Sequence, residues 1–551
     1  MRIAVALPPL RDFYLSPRRM SALGCRTVVR LLEEAGGHTV VSPARRAEAS
    51  AQENAEASEH GEPFLFPLMG KPHSLPLPRE AAYLNEWLLP GESGPLSFFT
   101  AFQRFGPDPA EAAGMIAREQ PQAVFVSSFA YAYAEDAVLF AAALRKLMPE
   151  TLIVAGGAGP SSWPDYYLHP PAELYNQADR GRPVFDAVFT GEAETGLPLL
   201  LAFLTDRLSA NNSGTNRRTS VLIQAPASSS AESLSCVFAI QRQTKKEAWI
   251  STSLSRGCPQ GCRFCSAHLC HGRQFRAVAH KEIAAAADKL PRELTEKHIH
   301  LTFEDDNMLQ DEAWFSGVLR IFRERFPRVS FSAENGLDYR LLGPAALRQL
   351  IAAGFESFNL SLADIDEEKA APSRQTDVKK FLAAARGIAE KGLPLVSYFI
   401  AGLEDSTPEK IVRNLAFLAQ TPGLAGISLF YPVPGIPGFD PPPETLRRYP
   451  GLARGSFAWP WTGSLSTGEL VTAFRLARLV NLAKKSSRSA DEEELLARCF
   501  AEKRLFTLQR EKEKTRAGRK GSPRLTPAPT DREMEKLFFR KISRSRTLHS
   551  E

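Results

Sequence analysis

The feature that most constrains this chain is a run of short apolar segments alternating with amphipathic helical patterns from about residue 248 to residue 430. The segments are WISTSLSRG, HIHLTFEDD, VSFSAE, SFNLSLA, LPLVSYFIAG and GISLFYPV. Between them fall helical patterns such as KEIAAAADKL, AWFSGVLRIFRERF, AALRQLIAAGF, VKKFLAAARGIAEKG and PEKIVRNLAFLAQ. Successive parallel strands need a long crossover, and an amphipathic helix is the usual one. Six such units in a row predict a parallel α/β structure closing into a partial (β/α)6 barrel of the TIM type. Functional groups are then expected at the C-terminal strand ends.

A shorter series precedes it. IAVAL (Ile3 to Leu7), the helix pattern MSALGCRTVVRLLEEAGG and the run HTVVS form one unit. After a polar excursion from about Ala44 to Glu80, the alternation resumes with AVFVSSF, AEDAVLFAAALRKL, TLIVAGG and DAVFTGEAETGLPLLLAFL. This predicts an N-terminal doubly wound, Rossmann-like parallel sheet over residues 1–205. Runs rich in Ser, Asn and Ala read as a low-complexity linker over 206–247. The barrel follows over 248–440, then a mainly helical C-terminal extension over 441–501 and a basic, partly disordered tail over 502–551.

Composition narrows the class. Apolar residues make up 44% and charged residues 24% of the 551, which suits a globular protein with a large core. The N-terminus MRIAVALPPLRDF is too short in apolar residues for a signal peptide, and no long apolar run follows, so we expect a cytoplasmic protein without a membrane anchor. The net charge of +6 is accounted for by the basic tail, which argues against a nucleic-acid partner.

Seven cysteines are too few for a disulfide scaffold, yet Cys258, Cys262 and Cys265 fall within one loop, SRGCPQGCRFCSAH, directly after a predicted strand. Three thiolates can converge on one metal centre. Zinc remains an alternative at this point, because Cys270, His268 and His271 are near enough in sequence to supply a fourth ligand.

The loop resembles the signature of the radical S-adenosylmethionine (SAM) superfamily, CxxxCx-aromatic-C, matched by Cys258, Cys262, Phe264 and Cys265. The resemblance spans about residues 248 to 440 and implies a 4Fe-4S cluster on the three cysteines, with SAM at the iron left open. It places the SAM amino group near FEDDN, where Glu304 and Asp305 are the candidates. Glu334 and Asn335 in SAENG, Ser361 in NLSLAD, and Gly402 and Glu404 in YFIAGLED resemble positions touching the ribose and carboxylate. Asp and Asn at such places also cap helices, and Arg276 reads equally well as a family position or as a surface arginine. The implied partners are a small-molecule or peptide substrate and a reduced flavodoxin- or ferredoxin-type electron donor.

The N-terminal unit resembles the cobalamin-binding domain that often precedes such a barrel, on the stretches AVFVSSFAYAYAEDA, LIVAGGAGPSSWPD and FDAVFTGEAETGLPLLL. Gly156, Gly157 and Gly159 would let a ligand approach the backbone, and Ser127 and Ser128 would face the same crevice. No Asp-x-His-x-x-Gly loop follows the first strand, so no histidine is assigned below the cobalt. GEAE (Gly191 to Glu194) also recurs in that family, where it packs toward the barrel. The resemblance implies cobalamin-dependent methyl transfer to an unactivated carbon. A radical rearrangement or cyclisation without methylation, and a non-catalytic cobalamin or redox sensor, are the alternatives. Trp459 and Trp461 either cover the barrel opening or pack.

Overall fold

The computed structural model describes residues 1–16, 20–41, 64–99, 101–175, 182–210, 219–227, 234–366, 376–509 and 524–543. The first unit contains β1 (Arg2–Leu7), α1 (Leu23–Ala35), β2 (Thr39–Val41), α2 (Pro109–Ala117), β3 (Ala123–Ser127), α3 (Ala134–Leu147), β4 (Leu152–Gly156), β5 (Ala187–Thr190), α4 (Ala193–Ala210) and β6 (Val221–Gln224). All six strands pair in parallel in the order β6-β5-β4-β3-β1-β2. The direction of winding therefore reverses between β1 and β3, which opens a crevice at their C-terminal ends.

The period-2 pleat explains why these strands carry few polar residues. One face presents Ala4, Ala6, Val124, Val126, Ile153 and Val188 to α2 and α3, through Ile116, Phe140 and Leu144. The other presents Ile3, Val5, Phe125, Leu152 and Phe189 to α1 and α4, through Leu32, Leu197 and Leu204. Asp108 starts α2 by accepting the Ala110 N–H, with Pro109 at the first helical position.

The second unit runs through β7 (Phe238–Gln243), β8 (Glu247–Thr252), α5 (His280–Ala287), β9 (His298–Phe303), α6 (Glu312–Arg325), β10 (Val329–Ala333), α7 (Pro344–Ala353), β11 (Phe358–Ala363), α8 (Val378–Ala389), β12 (Leu395–Ala401), α9 (Pro408–Ala419) and β13 (Leu424–Leu429). Strands β8, β9 and β10 are parallel, with β7 antiparallel at their edge. Strands β11, β12 and β13 form a second parallel sheet. The isolated bridges Phe331–Phe355 and Leu337–Leu360 join the two sheets. Side-chain caps from Asp311, Asp377 and Thr407 start α6, α8 and α9.

Three stretches differ from the sequence expectation. The linker over 206–247 contains the end of α4, all of β6 and β7; three apolar residues between Ser- and Asn-rich runs are too few to alter a windowed composition. Residues 211–218 and 228–233 of that linker, and 42–63 of the polar excursion, lie outside the described residues. Phe64 and Phe66, within that excursion, are fully buried. The basic tail folds over much of its length: β14 (Phe506–Gln509) pairs with β15 (Arg524–Pro527) and with Glu92–Ser93, and α12 (Arg532–Ser543) buries Met534, Phe538, Phe539 and Ile542. Apart from Glu535, which is buried and accepts from the Leu505 N–H and the Thr530 hydroxyl, the charges of α12 lie away from its apolar face, and composition averages over faces.

Between β13 and the tail lie α10 (Thr467–Ala483) and α11 (Ala490–Glu502), each opened by a capping box, Ser466 with Glu469 and Ser489 with Glu492. Arg475 of α10 is fully buried. Both of its terminal nitrogens donate to the two carboxylate oxygens of the equally buried Glu92, and it donates to the Leu96 carbonyl at 2.9 Å. Removing one partner leaves an uncompensated buried charge. We expect Arg475→Ala to lower stability by about 3–5 kcal/mol, read as a fall in the denaturation midpoint. Lys485→Ala, which removes a half-exposed ammonium at the surface from its pair with Glu492, shifts it by less than about 1 kcal/mol.

Candidate functional site

The site begins where β8 ends. Gly257, at φ +83°, turns the chain into the cysteine loop, and a Cβ there would lie 2.0 Å from the Gln274 carbonyl oxygen, so only glycine fits. Cys258 and Cys265 are half-buried and Cys262 is buried. Burial pushes the thiols of Cys258 and Cys265 up, while the N–H groups of Gln260 and Ala267 act on their sulfurs in the opposite sense. The Asn307 amide donates to Cys258 Sγ at 3.9 Å. Arg340, held by Asp338 at 2.6 Å and by Gln260 Oε1 at 3.0 Å, brings positive charge toward Cys262.

The donor count separates one ion from a cluster: a structural zinc site takes four closed ligands, whereas three protein thiolates with N–H donors on sulfur suit a cluster that keeps one iron open. The nearby candidates for a fourth zinc ligand make contacts of their own. His268 Nδ1 bonds the Cys265 carbonyl at 3.0 Å, His271 Nδ1 bonds Asp306 at 2.9 Å, and burial pushes the Cys270 thiol up to about 11, its hydrogen bond to Ser161 acting against this.

The acids of FEDDN divide by direction. Glu304 accepts from Ser21 Oγ of the first unit at 2.8 Å, and Asn335 donates to the Glu304 carbonyl at 2.9 Å. Burial holds the Glu304 carboxyl above its usual range, opposed by hydrogen bonds from Ser21 and Ser251, with Glu334 adding repulsion. Glu304, Glu334 and Asn335 are thus gathered at adjoining strand ends. Asp305 points the other way. Its Oδ1 accepts from the Leu254 N–H at 3.0 Å and Ser255 Oγ at 2.6 Å, bracing the end of β8 from a fully buried position. Asp306, which the sequence reading passed over, takes the Gly257 N–H at 2.8 Å along with His271. Burial would raise it, but the bond and charge of His271 outweigh that and hold it low.

Ser361 lies in β11 opposite Tyr398. Gly402, at φ +86°, receives the Trp461 indole N–H on its carbonyl at 2.7 Å. Trp459 and Trp461 line a small apolar cavity with Gly402 and Phe430. Phe264 packs beside Leu403, Phe430, Ile436 and Phe439. Glu404 is exposed.

The two units meet at this loop. Arg276 is buried, not on the surface: it grips Glu192 with two bonds of 2.8 and 2.9 Å and donates to the His271 carbonyl at 2.9 Å. Arg256 pairs with Glu194 at 2.8 Å and lies 3.5 Å from Glu192. The GEAE carboxylates were legible as a motif, but their guanidinium partners carry no local sequence signal.

In the first unit, Gly157 and Gly159 answer to the protein's own atoms. A Cβ on Gly157 would meet the Ser128 carbonyl oxygen at 2.7 Å, and one on Gly159 would meet Tyr167 Oη at 2.4 Å. Ser128 Oγ is bonded to that Tyr167 hydroxyl at 2.7 Å. Gly156 is open, its nearest neighbour being Phe189 at 4.0 Å, and Ser127 ends β3 half-buried beside it.

Residues 252–418 match the Radical SAM superfamily, and the chain carries a radical SAM domain. It is 23% identical over 203 residues to the bacteriochlorophyllide d C-12(1)-methyltransferase of Chlorobaculum tepidum, covering 35% of this chain and 43% of that protein. It is 24% identical over 299 residues to the hopanoid C-2 methylase of Rhodopseudomonas palustris, covering 52% and 51%. The chain thus spans about half or less of the curated relatives it matches. A solved structure of the radical SAM methyltransferase TsrM from Kitasatospora setae overlaps 79% of this chain and 74% of its own at a TM-score of 0.48 and 15% identity. Among the described residues no helix is long and apolar enough to cross a membrane.

Asp305 gives a pH-dependent expectation. Burial raises its carboxyl to about 7, against hydrogen bonds from Ser255 and Leu254 that lower it. The folded state therefore holds this proton up to a higher pH than the unfolded chain does. The stabilisation from that proton is full below the ordinary carboxyl range and fades as pH rises toward about 7. Asp305→Asn is expected to flatten melting temperature against pH in that window; an unchanged slope would count against the assignment.

Proposed function

We propose that the chain is a radical SAM enzyme that transfers a methyl group to an unactivated carbon of a small-molecule or peptide substrate, with cobalamin held by its first unit. The observation carrying this reading is that the C-terminal strand ends of the two units face each other across the cysteine loop. Ser21 after β1 reaches Glu304 after β9; Tyr131 after β3 donates to the Pro432 carbonyl after β13 at 2.9 Å; Glu192 and Glu194 after β5 hold Arg256 and Arg276 after β8. A ligand at the reversal point between β1 and β3 would therefore look directly onto the loop.

In this reading the two parallel sheets form a partial (β/α)6 barrel, Cys258, Cys262 and Cys265 hold a 4Fe-4S cluster, and Glu304, Glu334, Asn335, Ser361 and Gly402 surround SAM. When bound, the cluster supplies the electron that cleaves SAM to methionine and a 5'-deoxyadenosyl radical, and cobalamin supplies the methyl carrier. The protein's own contribution is placement. Glu304 offers a carboxylate to an ammonium group, Asn335 fixes the backbone that presents it, and the aromatic wall of Phe264, Phe430 and Trp461 excludes water from a reactive intermediate. Ser127 and open Gly156 line the cobalamin crevice, where Pro8 and Pro9 follow β1 and offer no side-chain ligand. The two curated relatives are named as methylating enzymes, which supports methyl transfer. A flavodoxin- or ferredoxin-type protein would deliver electrons, in the cytoplasm.

One observation favours a second reading, radical rearrangement without methylation: Ser128, Gly157 and Gly159 are used by internal packing with Tyr167 and leave less of the crevice to a ligand. Anaerobic reconstitution with iron and sulfide, then SAM and dithionite, is expected to yield 5'-deoxyadenosine. Single Cys258, Cys262 or Cys265 to Ala variants should lose both the cluster absorption and this product, whereas Cys270→Ala keeps both. An intact cluster without the product would sink the radical assignment. Protein produced with hydroxocobalamin is expected to retain a corrin absorption; its absence leaves only the second reading.

A further inference from the structure

A second ligand-bearing group lies at the opposite end of β9 from Glu304. His298 and His300, two residues apart, share one face of the strand, and their rings stack with centroids 4.4 Å apart at 9°. His298 Nε2 and His300 Nδ1 lie 3.0 and 3.1 Å from the one hydroxyl of Ser330 in β10, and His300 Nδ1 is 2.8 Å from Glu356 Oε1. The Glu356 carboxylate only accepts, so His300 Nδ1 carries its proton toward it, and the Ser330 hydroxyl keeps its own proton for His298 Nε2. His300 Nε2 is buried without a hydrogen-bond partner, and Glu247 Oε1 lies 3.6 Å from it. The Trp249 ring stacks on His300 at 5.0 Å with Arg242 above it, which fixes the imidazole's orientation from behind.

We propose that His298, His300 and Glu356 form a binding site for a divalent transition-metal ion of the zinc type, at the N-terminal end of β9 and separate from the cysteine loop. Their ligand atoms lie within 4.8 Å of one another. Two imidazoles and a carboxylate are a zinc-type donor set, and closing onto bonds of about 2.0–2.2 Å needs an inward shift on the order of an ångström. The ion replaces the proton on the imidazole nitrogen it engages, so one proton is released for each nitrogen that carried one. The Glu356 side chain is 40% exposed and the His300 side chain 19%, which leaves an entry path from solvent.

The site's place gives it a role. Glu356 stands in the turn between α7 and β11, where its N–H bonds the Phe331 carbonyl at 3.0 Å. An ion shared with β9 would pin that turn across the seam where β10 and β11 meet through isolated bridges and the bond of the Asn359 amide to the Ala333 carbonyl, without a continuous ladder among the described residues. Residues at the N-terminal face of parallel strands serve stability more than chemistry, which fits a structural ion.

The test uses the full-length protein with its iron-sulfur cluster reconstituted, treated with a chelator and then titrated with Zn2+ or with Co2+ as a spectroscopic probe. One equivalent of metal beyond the iron is expected, with visible Co2+ bands that lack sulfur-to-metal charge transfer, and a melting temperature raised by Zn2+. The His298→Asn/His300→Asn double variant should lose the equivalent and the shift while keeping its iron. Glu356→Gln, which conserves shape, should bind about tenfold or more weakly. No added equivalent in the wild type, a cobalt spectrum with thiolate character, or undiminished binding in these variants would overturn the proposal and leave a hydrogen-bonded network only.

Discussion

The functional architecture depends on one interaction, the buried clamp of Glu192 and Glu194 on Arg276 and Arg256. Burying four charges is costly unless each is paired, and here both guanidiniums are, although Arg276 Nε has no hydrogen-bond partner among the described residues. Burial would raise Glu194, yet Arg256 outweighs it and holds the carboxyl low. Arg256 stands two residues before Cys258, and Arg276 closes the segment that follows the last cysteine of the loop. The carboxylates come from the first unit and the loop from the second, so the shape of the cysteine loop is a property of the docked pair. A domain that only rested on the other would not need buried carboxylates at that point.

A second buried network fixes the same docking from the C-terminal side. Arg454 reaches Asp136 of α3 at 2.9 Å and the Ala132 carbonyl at 3.1 Å, lies over the Tyr133 ring, and sits beside Ser456, which bonds Asp12. The end of β3 is thereby held from two directions. Rigid support of this kind suits a crevice whose contents have to meet a reactive centre in one orientation.

Much of this was legible in the sequence where the signal was local and periodic. The six apolar segments of the second unit and the first five strands of the first unit follow from alternation alone, because a strand covered on both faces reads as a continuous apolar run. The cysteine loop was legible from spacing and position. What sequence could not supply was direction and distant partnership. Asp305 and Asp306 are neighbours of one residue type, yet one braces β8 and the other holds His271, a choice made by the pleat and by groups between 35 and 51 residues away. Gly157 and Gly159 show the same limit: the need for glycine was readable, but the atom that imposes it belongs to Ser128 and Tyr167 and not to a ligand. Strand β6 escaped because a three-residue apolar run carries too little signal to stand out from its surroundings.

The small sheet that joins Glu92–Ser93 to β14 and β15, together with the Arg475–Glu92 pair, has a bearing on how the molecule is made. Glu92 and Arg475 are 383 positions apart, and at about 5–20 residues per second the ribosome separates their appearance by roughly 20–80 s. Through that interval the carboxylate of Glu92 and the apolar side chains of Leu84, Leu96 and Phe98 have no C-terminal helix to pack against. The first unit's central sheet is complete by β6, but its excursion waits for the end of the chain, so nascent protein spends most of its synthesis with a sticky, half-finished flank. A chain with such a flank exposed is prone to aggregate until α10 arrives.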